Sequence, residues 1–272
     1  MRTISASAPG KLILFGEHAV VHGRPAVAAP LAALRASATV TMQTGPLSGT
    51  TVVFARNLNR RILVNQAPED EPLAAIVRAT FATYGRPVLS GLSIVVSSTI
   101  PVASGLGSSA AVSTAIVRAL AAFLGKPLTP AVVSALVFET EKLHHGTPSG
   151  IDNTVIAYER PVYFIRGQVS ETFDLGRPVR FLIGDTGVAS ETRTAVAAVR
   201  RLYLEAPEHY GGLFDQIGAL ASEARLALEA GELSPLGPLM DKNHALLQEL
   251  CVSSPELDRL VEAARQIGRA HV

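Results

Sequence analysis

The sequence predicts an α+β protein of one or two domains, and three observations carry that reading. Residues up to about 100 alternate repeatedly between apolar and polar positions, the two-residue period of strands, with one stretch of helical spacing inserted. Pro101 to Ala111, reading PVASGLGSSAA, is a glycine-and-serine loop between an alternating run and a long apolar run. From Ser190 onward the spacing is helical almost without a break. With 272 residues, 48% of them hydrophobic, the chain can bury one large core or two modest ones.

Taken in order, Thr3 to Ala8 alternates as a strand that Pro9-Gly10 should end. Lys11 to Phe15 is a second apolar segment running into Gly16-Glu17-His18, and Val20-Val21 reads as a further short strand across a polar turn. Pro25 to Leu34 continues extended, and Arg35 to Gln43 alternates as another strand. Short strands are expected at Thr51 to Phe54 and Arg61 to Val64. Pro72 suits a first helical position, with Leu73, Ile76, Val77, Thr80 and Phe81 following at helical spacing. Leu92 to Ile100 is the strand that enters the glycine loop, and Ala110 to Leu124 is a buried helix carrying one arginine, Arg118. Thr129-Pro130 forms an N-cap and first-turn pair for a helix reaching about Lys142. The neighbourhood of Pro161 is the expected domain boundary, dividing 1–160 from 161–272, and Phe181 to Gly184 is expected as a strand. Four helical segments then close the chain: 191–204, 212–230, 234–250 and 255–266.

Charge and cysteine content exclude several classes. A net charge of +1 without blocks of like charge supplies no field for nucleic acid or an anionic membrane. The single cysteine, Cys251, excludes an internal disulfide and any cysteine zinc cluster, which points to a cytoplasmic protein. Lys11 interrupts the only apolar run near the N-terminus, so no secretory signal is expected there. Ala110 to Leu124 falls short of the roughly 20 residues that span a bilayer. The expected partner is a small molecule.

The chemistry starts at the loop. A strand feeding a glycine turn that opens a helix gathers backbone N–H groups and the positive end of the helix dipole at one point, which suits an anion. Gly105 and Gly107 can take positive φ, and Ser108 and Ser109 fall where an N-cap is expected, their hydroxyls available to backbone, phosphate or metal. A plain serine-capped turn fits the same residues. Glu141 stands near a helix C-terminus, where an exposed charge balanced by Lys142 is the simpler reading; Asp152 in Ser-Gly-Ile-Asp-Asn is an ordinary first-turn aspartate by itself. His18 and His22 lack the His-Glu-x-x-His order and the helix that a zinc site of that type needs. The run 105–110 satisfies the dinucleotide pattern GxGxxG/A, but a second helix follows instead of a strand, and no acid occurs before Glu139. Together, an amide cradle, a hydroxyl, carboxylates and a lysine make up the parts of a phosphoryl-transfer site.

The segments PGKLILFGEHAVVHGRPAVA, PVASGLGSSAA and HGTPSGIDN resemble the first two signature motifs and the acceptor-side loop of the GHMP (galacto-, homoserine, mevalonate, phosphomevalonate) kinases, over about residues 3 to 266. Glu-His-Ala-Val-Val-His-Gly is closest to the members that phosphorylate mevalonate; galactokinase has Glu-His-Thr-Asp there, and homoserine kinase lacks Glu-His. The resemblance implies the GHMP kinase fold. That fold pairs an N-terminal domain like ribosomal protein S5 with a ferredoxin-like C-terminal domain, and its active site lies in the cleft between them.

It implies ATP and Mg²⁺ as cofactors and mevalonate as acceptor, with a homodimer as an open alternative and no nucleic acid or membrane. Asp152 would be the base facing the primary hydroxyl, and Lys11 its charge partner. Pro101, Gly105, Leu106, Gly107, Ser108, Ser109 and Ala110 would hold the nucleotide phosphates, and Ser109 and Glu141 the Mg²⁺. Glu17, His18 and, less specifically, Thr186 within Asp185 to Gly187 and the Ser190 to Thr194 stretch would border the acceptor. Phosphomevalonate as acceptor, or a non-catalytic metabolite-binding role, stays open. The third family motif, near Thr-Gly-Ala-Gly, does not follow the last helix, and the closing IGRAHV matches neither a helix end nor the approach to that motif. The C-terminal domain is therefore expected to be incomplete, with some of Leu213, Leu246, Leu250, Leu257 and Leu260 exposed.

Overall fold

The computed structural model describes residues 2–44, 48–101, 104–145, 148–188 and 192–267. The chain folds as two compact units, the first formed by Met1–Lys11 and Pro30–Glu159, the second by Leu12–Ala29 and Arg160–Val272.

The first unit holds much of β1 (Thr3–Phe15) and β2 (Ala26–Met42), with β3 (Val52–Ala55), β4 (Arg60–Leu63) and β5 (Leu92–Ser98). The strand order is β4-β3-β5-β2, and β1 pairs β2. β2 and β5 run antiparallel from Ala36 opposite Ser98 to Met42 opposite Leu92, whereas β3 and β5 are parallel. The period of two aligns one apolar face: Ala36, Ala38, Val40, Leu92, Ile94 and Val96 are all buried.

Four helices complete this unit: α1 (Pro72–Thr83), α2 (Ser108–Phe123), α3 (Pro130–His145) and α4 (Ile151–Tyr158). α2 lies centrally, in contact with α1, α3, α4 and β5. Its residues Ala111, Ala115, Ile116, Ala119 and Leu120 are fully enclosed, which explains the long, largely apolar run in the sequence.

In the second unit β2 pairs over Ala26–Ala28 with β6 (Val162–Phe164), which in turn takes β7 (Glu171–Thr172). The helices α5 (Thr192–Glu205), α6 (Pro207–Ala230), α7 (Leu236–Glu249) and α8 (Pro255–Gln266) follow. Leu14, Phe15, Val27 and Phe173 pack with Leu228, Leu239 and Met240 in one core cluster, and Ala19 packs with Phe214, Ile217 and Leu250 in another. No helix among the described residues is long and apolar enough to cross a membrane.

Several sequence expectations are corrected. Pro9-Gly10 does not end a strand: β1 runs straight through it. A Cβ on Gly10 would stand 3.0 Å from the Leu106 carbonyl oxygen, so this glycine marks a close backbone approach and not a turn. Ala26 to Met42 is one strand, with Pro30 between the stretches that pair β6 and β5, where the missing N–H leaves those two ladders intact. Val20-Val21 is not a strand; Ala19–His22 forms a 3-10 turn closed by Gly23 at φ 78°, which buries Ala19 and Val20. Phe181 to Gly184 forms no strand, having no ladder partner among the described residues, although Phe181 packs on the core of its unit. Leu213 and Leu250 are buried, whereas Leu257 and Leu260 on α8 are exposed. The closing residues 268–272 lie outside the described residues.

Candidate active site

The loop after β5 is shaped by Gly107. It caps α2 with φ 73° and no side-chain hydrogen bond, so Ser108 and Ser109 are the first two helical residues and not the N-cap the sequence indicated. A left-handed cap is open to glycine at little cost, and a Cβ there would come within 2.8 Å of Lys11 Cγ and 2.9 Å of Ile156 Cδ1. Helical geometry leaves the N–H groups of Ser108, Ser109 and Ala110 without an intrahelical acceptor, at the positive end of a sixteen-residue helix. Gly105 also has positive φ, and the position a Cβ would take on it is open space. Pro101 is exposed at the loop entrance, its carbonyl accepting from Ser104 Oγ at 3.0 Å. Leu106 and Ala110 turn inward. Val102 and Ala103, and Gly146 and Thr147 of the acceptor-side loop, lie outside the described residues.

Lys11 reaches this loop from β1. Its N–H donates to the Leu106 carbonyl at 3.0 Å, and its side chain runs past Gly107 to put Nζ 2.9 Å from Asp152 Oδ1. Lys11 is 6% exposed, so an unpaired ammonium here would be costly, and the ion pair offsets that cost. Asp152 occupies the first turn of α4, where the helix dipole favours a carboxylate. Its neighbour Asn153, which the sequence reading passed over, is buried and donates from Nδ2 to the carbonyl (3.1 Å) and hydroxyl (2.8 Å) of Ser134 on α3. α4 is thereby fixed beneath Asp152.

Ser109 Oγ donates to Glu141 Oε2 at 3.2 Å. Glu141 is 3% exposed, which replaces the solvated-charge reading; Lys142 pairs with Glu139 instead, at 2.7 Å. Burial pushes the Glu141 carboxyl from 4.5 up to about 7; the Ser109 hydrogen bond opposes the rise, the Asp152 charge adds to it and Lys11 opposes it. Lys11, Asp152, Ser109 and Glu141 thus form one electrostatically linked group around the loop.

The other candidates belong to the second unit. Glu17 Oε1 accepts from Asn243 Nδ2 of α7 at 3.0 Å, and Asn243 is 1% exposed. His18 has φ 60°, and burial together with the His22 charge lowers it from 6.5 to about 4, leaving the ring neutral at pH 7. The His22 ring stacks on Phe214 with centroids 4.2 Å apart, an aromatic packing role. The Thr186 hydroxyl accepts from Val188 N–H at 3.2 Å, and Asp185 accepts from Gly187 N–H at 2.9 Å, forming a tight turn. Ser190 and Glu191 lie outside the described residues.

Residues 72–160 match the family of GHMP kinases N terminal domains. A mevalonate kinase of Thermococcus sibiricus is 34% identical over 283 residues, covering 97% of this chain and 83% of the relative. The chain belongs to the mevalonate kinase family. A solved mevalonate kinase of Methanococcus jannaschii, 22% identical, superposes with a TM-score of 0.78 over 97% of this chain and 84% of that one, establishing the GHMP kinase fold. A mevalonate kinase of L. major solved in complex with R-mevalonate is 28% identical with a TM-score of 0.76, covering 97% of this chain and 81% of that one.

Proposed function

We propose that the chain transfers the γ-phosphoryl group of ATP to the primary hydroxyl of mevalonate, giving 5-phosphomevalonate and ADP. The observation that carries this reading is the Lys11–Asp152 pair held at 2.9 Å against the glycine loop, with Ser109 and Glu141 on the loop's helix side. The family's activity and the mevalonate-bound relative support the choice of acceptor.

Phosphates are received by the first-turn amides of α2, where negative charge is favoured. The acceptor oxygen forms a bond to the γ-phosphorus as the bond to the β,γ-bridging oxygen breaks, and the hydroxyl proton passes to Asp152. The buried Lys11 ammonium stands 2.9 Å from the Asp152 carboxylate and offsets charge on the transferring group. A loose transition state asks the protein chiefly for positioning and charge compensation, which a rigid ion pair supplies. Ser109 Oγ and the Glu141 carboxylate, oxygen donors beside the phosphate loop, suit a hard divalent cation and would hold Mg²⁺. When bound, Mg²⁺ neutralises phosphate charge. Holding it requires Glu141 to release the proton that burial stabilises. Glu17, His18 and Thr186 are assigned to the acceptor's surroundings.

The test is ADP release from ATP and Mg²⁺, coupled to NADH oxidation, with and without mevalonate. Mevalonate-dependent release with 5-phosphomevalonate as product is expected; release independent of mevalonate, or none, would overturn the assignment.

A further inference from the structure

An arginine in the middle of α2 is out of keeping with its surroundings. Ala115, Ile116, Val117, Ala119, Leu120 and Ala121 around it are buried, while the Arg118 side chain is 24% exposed and its head group is paired. Arg118 is at position 118 because its guanidinium meets three acceptors on two other elements. Nη1 donates to the Ser7 carbonyl of β1 at 3.0 Å and to the Glu159 carboxylate, and Nη2 donates to the Ala157 carbonyl at the end of α4 at 2.9 Å. Glu159, in the left-handed C-cap of α4, is held from the other side by Arg35, whose Nε also takes the Ser7 hydroxyl at 3.0 Å.

These attachment points lie on the elements that carry the candidate site. Ser7 is four residues before Lys11 along β1, a span of roughly 13 Å; Ala157 is five residues after Asp152 along α4, roughly 7.5 Å. Arg118 itself sits on the helix whose first turn bears Ser109. One guanidinium therefore joins the rear ends of three elements whose front ends present Lys11, Asp152 and Ser109. We infer that Arg118 is a positioning residue that fixes the approach of Asp152 to Lys11 by locking α4 to β1. A tilt of α4 by a few degrees at Ala157 moves Asp152 by about half an ångström, and misplacements of that order cost turnover and not binding.

This inference rests on the phosphotransferase reading. The experiment compares Arg118→Lys, Arg118→Met and the charge-balanced pair Arg118→Met/Glu159→Gln in the parent and in an Asp152→Asn background. Measured quantities are kcat, KM for ATP and thermal midpoint. Lysine keeps the charge but cannot reach two carbonyls and a carboxylate in one plane.

Expected are a fall in kcat of about tenfold or more for the methionine forms, a smaller fall for lysine, and KM for ATP within about twofold. In the Asp152→Asn background the same substitutions should have little further effect on kcat, because their action passes through Asp152. Undiminished kcat, or the same fold-loss in both backgrounds, would overturn the inference. So would a loss that simply tracks the thermal midpoint. If Arg118→Met does not fold, the lysine variant decides by the same two comparisons. A parent chain without mevalonate-dependent ADP release defeats the functional reading itself; an active parent with unaffected variants defeats only the role of Arg118.

Discussion

Replacing Glu141 by glutamine should make the protein more stable above neutral pH while impairing it as an enzyme. The native carboxyl keeps its proton to about pH 7, while in the unfolded chain it is released near 4.5. Between those values the folded state binds more protons, so stability from the protonated form is fully present below 4.5 and is lost as pH rises through 7. The displacement corresponds to about 3 kcal/mol of native-state cost for the ionised form. Glutamine keeps the shape and can accept the Ser109 hydroxyl without carrying the charge. Urea unfolding of parent and Glu141→Gln from pH 4 to 8.5, in EDTA, should show the variant gaining on the parent by about 3 kcal/mol across the range. His18 acts in the opposite sense: its value drops from 6.5 to about 4, so its contribution is present above 6.5 and lost as pH falls toward 4. The two nearly cancel between 4.5 and 6.5 in the parent, and Glu141→Gln should uncover a rise in stability over that window. A stability difference that stays constant with pH to within ~0.5 kcal/mol would refute the reasoning, since surface-like substitutions behave in that way.

Asp152→Asn should retain ATP binding, measured by calorimetry, and lose roughly two or more orders of magnitude in kcat; turnover within a few-fold of the parent would remove Asp152 from the chemistry. Gly107→Ala combines the strain of a left-handed residue with contacts at 2.8 Å to Lys11 and 2.9 Å to Ile156, whereas Gly105→Ala meets open space. Denaturant unfolding should show the Gly107 variant losing about 1 kcal/mol or more beyond the Gly105 variant, both paying the same ~1–2 kcal/mol of backbone strain. Asn153→Ala leaves the buried Ser134 groups short of a donor and should cost about 1–3 kcal/mol in unfolding free energy, checked by the same assay.

The candidate site was legible in the sequence where its elements are local. A glycine loop between a strand and a helix, and an aspartate in the first turn of another helix, follow from a few consecutive residues, and the structure has both. The helical spacing of α5 to α8 was legible for the same reason, because each stripe needs only its own residues. Misreadings came where two distant segments meet. Pro9-Gly10 has the composition of a turn, and only the nearness of Leu106, almost a hundred residues along, shows why a strand needs glycine there. Phe181 to Gly184 has the composition of a strand, but a strand exists only with a neighbour to complete its ladder.

Polar residues inside apolar runs form an intermediate case, and they bear most directly on function. Arg118 within α2 signals a polar partner for its head group, although at 24% exposure burial alone does not demand one. The signal does not identify the acceptors, which lie 111, 39 and 41 residues away. Asn243, between Lys242 and His244 on α7, likewise has a distant partner, Glu17, 226 residues away. Ser109 and Asp152 lie at helix starts, where local sequence reports them, whereas Lys11 on β1 and Glu141 near the end of α3 are buried. The partly exposed Arg118 meets partners far along the chain, and their identity depends on packing. Substituting Asp152 should cost roughly two or more orders of magnitude in turnover, whereas substituting Arg118 should lower it in proportion to the displacement it permits. The Asp152 and Arg118 variants measured side by side put that distinction to the test.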